Sequence, residues 1–308
     1  MGWLPTLLLI ISAVCYAVSS FFDNFITDTF FRGRRPEAQK VFSIIFYAIV
    51  ITFLIIFSPP TDFNLFYVLL LAGSGVADAI AGIFYYRSLV NEETTGVTII
   101  MQFLPVFSLV SGFFILGDEI AIPQLVAIAL LLLSAVLIVF SHGKSRSRTR
   151  VQLRTIMLLL IAMVFWTTAT TIFAFAGDGF DFMTSFFYVM LGHFISNLVL
   201  ALVMKSWRVR ARNVFREFRF KIIVTYLSGN FIWLVGEALW CLSILSAPIA
   251  VASAVSSTSQ LIVTFILGLV LTTVLPRFGR EKLTGRTVSY HLVALLLSIA
   301  AILLIQLA

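Results

Sequence analysis

The chain has 308 residues, 60% of them hydrophobic and 11% charged, with a mean hydropathy of +1.07. A soluble domain carries about 25% charged residues, so this composition excludes one. The net charge of +7 does not point to nucleic acid, because the basic residues cluster in loops between apolar runs, as a membrane protein marks its cytoplasmic side.

Apolar runs of about 18 or more residues recur along the chain, each able to cross a hydrocarbon core of roughly 30 Å. They show no strict alternation, so they read as helices and not as barrel strands. Ten such spans are expected, near 3–22, 41–58, 65–88, 95–116, 122–140, 155–176, 182–204, 221–245, 249–275 and 288–307. The expected fold is all-α and polytopic, with about ten transmembrane helices arranged as two inverted five-helix repeats. The first span lacks a basic leader, and Leu4 to Phe22 is long and polar on one face, so it reads as a true span and not as a cleaved signal.

Taken in order, span 1 carries Ser12, Tyr16, Ser19, Ser20, Asp23, Asn24 and Thr27 at helical spacing. Spans 2, 5 and 10 lack such a stripe and are expected to be peripheral. Span 3 holds Asp78, 13 residues in, which is about 20 Å along the helix and near mid-membrane. A short acidic turn leads to span 4, with Thr98, Gln102, Pro105 and Ser108 on one side. Pro5, Pro59, Pro60, Pro123 and Pro248 mark span entries or ends. After span 5 comes HGKSRSRTRVQLR at 142–154, a basic linker that divides the chain into repeats at 1–141 and 155–308. Span 6 has Trp166, Thr167, Thr170 and Thr171, and span 9 has Ser253, Ser256, Ser257, Gln260 and Thr264. Each stripe has two readings, helix packing with back-bonded hydroxyls or the wall of a polar cavity.

The loops after spans 1, 3, 5, 7 and 9 hold all 21 Lys and Arg residues, Lys40 included, while the alternate loops hold only acids such as Asp62, Asp118, Glu119, Asp178 and Asp181. Odd loops are therefore expected in the cytoplasm and both termini outside. Five spans per half force the second half to enter from the opposite side, the arrangement used for alternating access. A shift of 154 places Gly75 on Gly229, Gly82 on Gly236, Tyr86 on Trp240, Val97 on Val251 and Gln102 on Ser256, with Ser259 opposite Pro105.

The candidate chemistry lies in the spans. Glu237 in span 8 is as deep as Asp78, and an ionised carboxylate there costs on the order of 3 kcal/mol. Such a group faces a cavity or a partner, or is held neutral by a neighbouring hydroxyl. Trp233, Glu237, Trp240 and Cys241 share one helix face, and indoles beside a carboxylate suit an organic ammonium. Asp78, Gly82 and Tyr85 repeat that spacing on span 3. His193 and Asn197 read as a helix–helix hydrogen-bonding pair with no carboxylate on their face. The basic stretch from Lys205 to Lys221 reads as a topological charge cluster, with lipid anchoring as the alternative. Cys15 and Cys241 fall within spans, against a disulfide framework, and no Cys/His spacing suggests a metal or cofactor site. No phosphate loop, G-x-S-x-G or H-E-x-x-H occurs.

The turn from Tyr85–Leu89 into a span carrying Pro105, followed by Gly117-Asp118-Glu119 and the 123–140 span, resembles the EamA-type ten-helix proteins of the drug/metabolite transporter superfamily. The resemblance runs along essentially the whole chain. It implies a carrier of small organic metabolites, commonly an exporter, with a central cavity and no nucleotide hydrolysis. The expected function is a secondary transporter of amine-bearing or amino-acid-like solutes, with Asp78, Tyr85, Gln102, Trp233, Glu237, Trp240 and Ser256 at the substrate or coupling site. Expected partners are a small-molecule solute, the lipid bilayer of the cell (inner) membrane, a coupled proton and a second copy of the chain, without nucleic acid. A lipid or lipid-carrier flippase of the same fold is the alternative. An intramembrane enzyme would need paired acids or a nucleophile with its base, and neither pattern is present.

Overall fold

The computed structural model describes residues 3–31, 35–90, 94–119, 121–141, 146–274 and scattered positions between 289 and 304. Among them no strand occurs, and eight segments are long and apolar enough to cross a membrane. The chain is an all-α polytopic membrane protein. Its helices are α1 (Trp3–Phe30), α2 (Lys40–Phe57), α3 (Leu65–Ser88), α4 (Thr94–Ile100), α5 (Leu104–Ser111), α6 (Ile122–Ser141), α7 (Arg146–Ala176), α8 (Phe182–Val203), α9 (Lys205–Phe218), α10 (Phe220–Ile244) and α11 (Ile249–Val274).

Span 4 is the irregular one, and its sequence says why. Pro105 cannot donate to the carbonyl one turn back, so the chain takes a 3-10 turn at Met101–Phe103 between α4 and α5. A π turn at Gly112–Leu116 follows, ended by Gly117 in the left-handed region at φ 73°. With Ser259 in place of a proline, α11 runs unbroken for 26 residues. The 142–154 linker is only partly a loop, since α7 already begins at Arg146. The tenth span lies largely outside the described residues; those of its positions that are described are helical, and Ala301 is buried with Ala127, Val251 and Ala254.

Packing follows a pseudo-symmetric plan. Helix α1 lies along α10 as α7 lies along α3, α2 packs on α8, and α11 crosses α4 and α5. Hydroxyls stitch related crossings: Ser12 Oγ donates to the Gly236 carbonyl at 2.8 Å and Ser74 Oγ to the Ala169 carbonyl at 2.9 Å. Each such bond is worth about 0.6 kcal/mol within a membrane bundle.

The α3–α8 crossing is the tightest, and glycine makes it so. A Cβ on Gly75 would meet the Val189 carbonyl and lie 2.8 Å from the His193 nitrogen, and one on Gly192 would meet the Ala72 carbonyl. At the basic end of the bundle, α9 lays Trp207, Ala211 and Val214 against its neighbours. There Phe30 meets Phe218 edge-on at 4.8 Å, Arg35 donates to Ser206 at 2.6 Å, and Arg87 pairs with Glu37 at 3.1 Å. At the acidic end, Tyr188 donates to the Asp62 carbonyl at 3.0 Å, and Tyr67 meets Phe180 edge-on at 5.9 Å. At each end residues before 141 contact residues after 155, as Phe30 meets Phe218 and Asp62 meets Tyr188.

Candidate functional site

Between these contacts lies a cavity of about 170 Å³, room for several waters or one small organic solute. It is lined from α1, α2, α3, α7, α8, α10, α11 and the broken start of span 4. Three acids (Asp23, Asp78, Glu237), Lys40, His193 and the indoles of Trp166, Trp233 and Trp240 share its wall.

Each charged group is tied to a second helix. Tyr16 on α1 donates to Glu237 Oε2 on α10 at 2.7 Å, while the Cys241 thiol lies 3.7 Å from Oε1. His193 Nε2 on α8 stands 3.0 Å from Asp78 Oδ2 on α3, and this side-chain pair is 1% and 16% exposed respectively. The approach is close but lacks the geometry of a hydrogen bond. Tyr47 stacks on the imidazole at 4.8 Å and 11°, and Trp233 meets it edge-on at 5.6 Å. The close α3–α8 crossing is what lets the imidazole reach Asp78, because His193 follows Gly192 directly.

A second cluster lies toward the basic end. The Lys40 ammonium sits 5.5 Å from the Tyr86 ring centre, in the space left by Gly82, where a Cβ would meet Nζ and Cε. Asp23 and Asp78 stand in the same cavity wall. Ser43 and Tyr226 share a 2.5 Å hydrogen bond beside it, and Asn230 Nδ2 donates to the Tyr226 carbonyl at 2.9 Å.

Of the residues expected at the site, Asp78, Tyr85, Trp233, Glu237, Trp240 and Ser256 all line the cavity. Gln102 does not. Its Nε2 donates to the Ser257 carbonyl at 2.8 Å, so it fastens span 4 to α11. The rest of the span 4 stripe behaves likewise, with Thr98 back-bonded to Thr94 and Ser108 bonded to Ser253 at 2.7 Å. The stripes of α1, α7 and α11 do contribute cavity residues: Tyr16, Ser19, Ser20, Asp23, Trp166, Thr170, Ser253, Ser256, Ser257 and Gln260.

Three readings of the sequence are corrected. His193 faces a carboxylate after all, one supplied by another helix, while Asn197 bonds only the His193 carbonyl at 2.7 Å. Span 2 is not peripheral, since Lys40, Ser43 and Tyr47 on α2 line the cavity. Lys40 is no loop charge: it is 7% exposed and faces the cavity. The signal for Lys40 was present in Pro36, which starts a 3-10 turn one residue after Arg35 and brings Lys40 into the span. Glu237 is bound by a phenol and a thiol and makes no direct contact of that kind with an indole. No group of three or more His, Cys, Asp or Glu residues among the described residues has the geometry to hold a metal ion.

No family model and no curated protein matches this chain. Its fold is similar to that of a solved structure described only as a crystal structure of a protein, with a TM-score of 0.61 at 9% identity. The match covers 96% of this chain and 96% of the other. At that identity the likeness shows the fold alone, a multi-pass helical bundle.

Proposed function

We propose that the chain is a secondary transporter, an exporter of small organic solutes bearing an ammonium group, in the cell (inner) membrane. The observation that carries this is the central cavity, walled by both halves, with three half-buried carboxylates among aromatic rings. Such a wall desolvates a cation while offering it counter-charges and π faces, each aromatic contact being worth up to about 2 kcal/mol. The protein's own ammonium, Lys40 on Tyr86, is already held in this way.

Alternating access is supported by the pseudo-symmetric packing of α1 on α10 and of α7 on α3. Opening the acidic-end contacts while keeping those at the basic end, and then the reverse, would expose the cavity to each side in turn. The Tyr16–Glu237 hydrogen bond suits proton exchange: Glu237 releases or takes a proton as the solute's positive charge arrives or leaves. Membership of the EamA-type transporters is part of the same proposal, resting on the motif order and on the ten-span plan.

The test is flux in proteoliposomes made with the purified protein. Labelled tetraethylammonium, a neutral amino acid and a lipid-linked sugar would be compared. The proposal expects the ammonium-bearing solutes to move and the lipid-linked sugar to stay. Movement of the lipid-linked sugar alone would make the protein a flippase and refute the assignment.

A further inference from the structure

We infer that Lys40 is a resident surrogate for the solute: a tethered ammonium at the cation position of the cavity, which it leaves when a free ammonium enters. The inference rests on the ammonium reading of the cavity and identifies the residue that competes for it. Four observations converge on it.

Lys40 is buried at 7% exposure, yet it lines the same cavity as Asp78 and Glu237. Its ammonium lies 5.5 Å from the Tyr86 ring centre, as an organic cation on an aromatic face would, in a wall that also holds Asp23 and Asp78. Gly82 opens its seat, since a Cβ there would meet Nζ and Cε and the flexible end of the lysine would have to shift. Gly82 is one helical turn beyond Asp78 on the same face of α3, so the seat adjoins the carboxylate assigned to the solute. A lysine serves this purpose because its four-carbon stem carries a compact, mobile charge.

A physical reason for such a group follows from the bilayer. A carrier that returns empty would otherwise move uncompensated carboxylates through a medium in which each costs several kcal/mol. A resident ammonium neutralises the empty cavity and permits the return. It also weakens solute binding, because the site is available only in the fraction of molecules where Lys40 has withdrawn.

The experiment uses n-butylammonium, which is the lysine side chain without its tether. Purified wild type, Lys40→Ala and Gly82→Ala would be melted in micelles, followed by tryptophan fluorescence, in n-butylammonium chloride or in potassium chloride at equal ionic strength. Lys40→Ala is expected to melt below wild type and to be restored selectively by n-butylammonium. Gly82→Ala keeps the lysine but fills its seat, and so remains informative if Lys40→Ala fails to fold. It is expected to bind n-butylammonium at least about tenfold more tightly than wild type does, as the occupied fraction falls. Equal effects of potassium and n-butylammonium on Lys40→Ala, or equal affinities in wild type and Gly82→Ala, would overturn the inference. If selective rescue holds while wild type carries no organic ammonium in proteoliposomes, the resident cation stands and the transport assignment alone falls.

Discussion

Replacing Gly192 by alanine tests the link between backbone packing and the charged site. The new methyl group would meet the Ala72 carbonyl, with its carbon 2.8 Å and the Ala72 Cα 2.9 Å away. All three are backbone atoms and cannot rotate aside. Carbon atoms rest at about 3.5–4.0 Å, so α3 and α8 must part by roughly 1 Å. His193 is the next residue, so its 3.0 Å approach to Asp78 would lengthen to about 4 Å. Overpacking costs roughly 1–3 kcal/mol. That corresponds to a melting temperature lower by on the order of 5 °C. Gly73, on the same helix as Gly75, has nothing within 4 Å of an added Cβ. Gly73→Ala should therefore melt at or above wild type, since alanine favours a helix by about 1 kcal/mol. Thermal melts of the two variants in micelles decide the matter. Wild-type melting by Gly192→Ala, or an equal fall in both, would refute the reasoning.

Other consequences follow from the same geometry. In a background of Cys15→Ser and Cys241→Ser, cysteines at Ser19, Thr170 and Ser256 should react with a small water-soluble thiol reagent, because these positions line the cavity. A cysteine at Gln102, bonded into α11, should not; inert cavity positions or a reactive 102 would contradict the assignment. Asp181 caps α8 by accepting from the Met183 and Thr184 nitrogens at 2.9 and 3.2 Å, so Asp181→Ala should cost about 1 kcal/mol. Hydrogen bonding by Thr184 holds that carboxyl below its ordinary range. Its contribution is thus complete above the ordinary value and fades as pH falls through the lowered one, and the variant's melting should lose that part of the acid dependence. For orientation, a C-terminal fluorescent fusion that matures only in cytoplasm should stay dark while a phosphatase fusion active outside reports, and the reverse would overturn the charge-based topology.

Much of the bundle could be read from the chain because membrane spans are set locally, by apolar length and by proline. The glycines that the 154-residue shift aligns do different work: Gly75 admits the α8 backbone and Gly229 admits Phe22, while Gly82 seats Lys40 and Gly236 the flank of α1. The carboxylates were visible because charge inside an apolar run is conspicuous. What escaped was the partner of each. Asp78 meets His193 only through a crossing made by Gly75 and Gly192, a tertiary event that helical spacing does not encode. Lys40 stood beside the arginines of a loop and shared their charge, so only the turn at Pro36–Gln39 separates it from them. Gln102 was misplaced because a polar stripe on a membrane helix looks the same whether it faces a cavity or another helix.

The central claim is that a carboxylate in this cavity is the counter-charge of a transported cation. The most direct measurement is the flux of labelled tetraethylammonium through proteoliposomes containing wild type or Glu237→Gln, at matched insertion and melting temperature. Glutamine retains an acceptor for the Tyr16 hydroxyl, which now lies 2.7 Å from the carboxylate, and removes only the charge. The account predicts flux in wild type and its loss in Glu237→Gln. Wild-type flux in the variant, with unchanged dependence on pH, would make Glu237 a structural group and contradict the account.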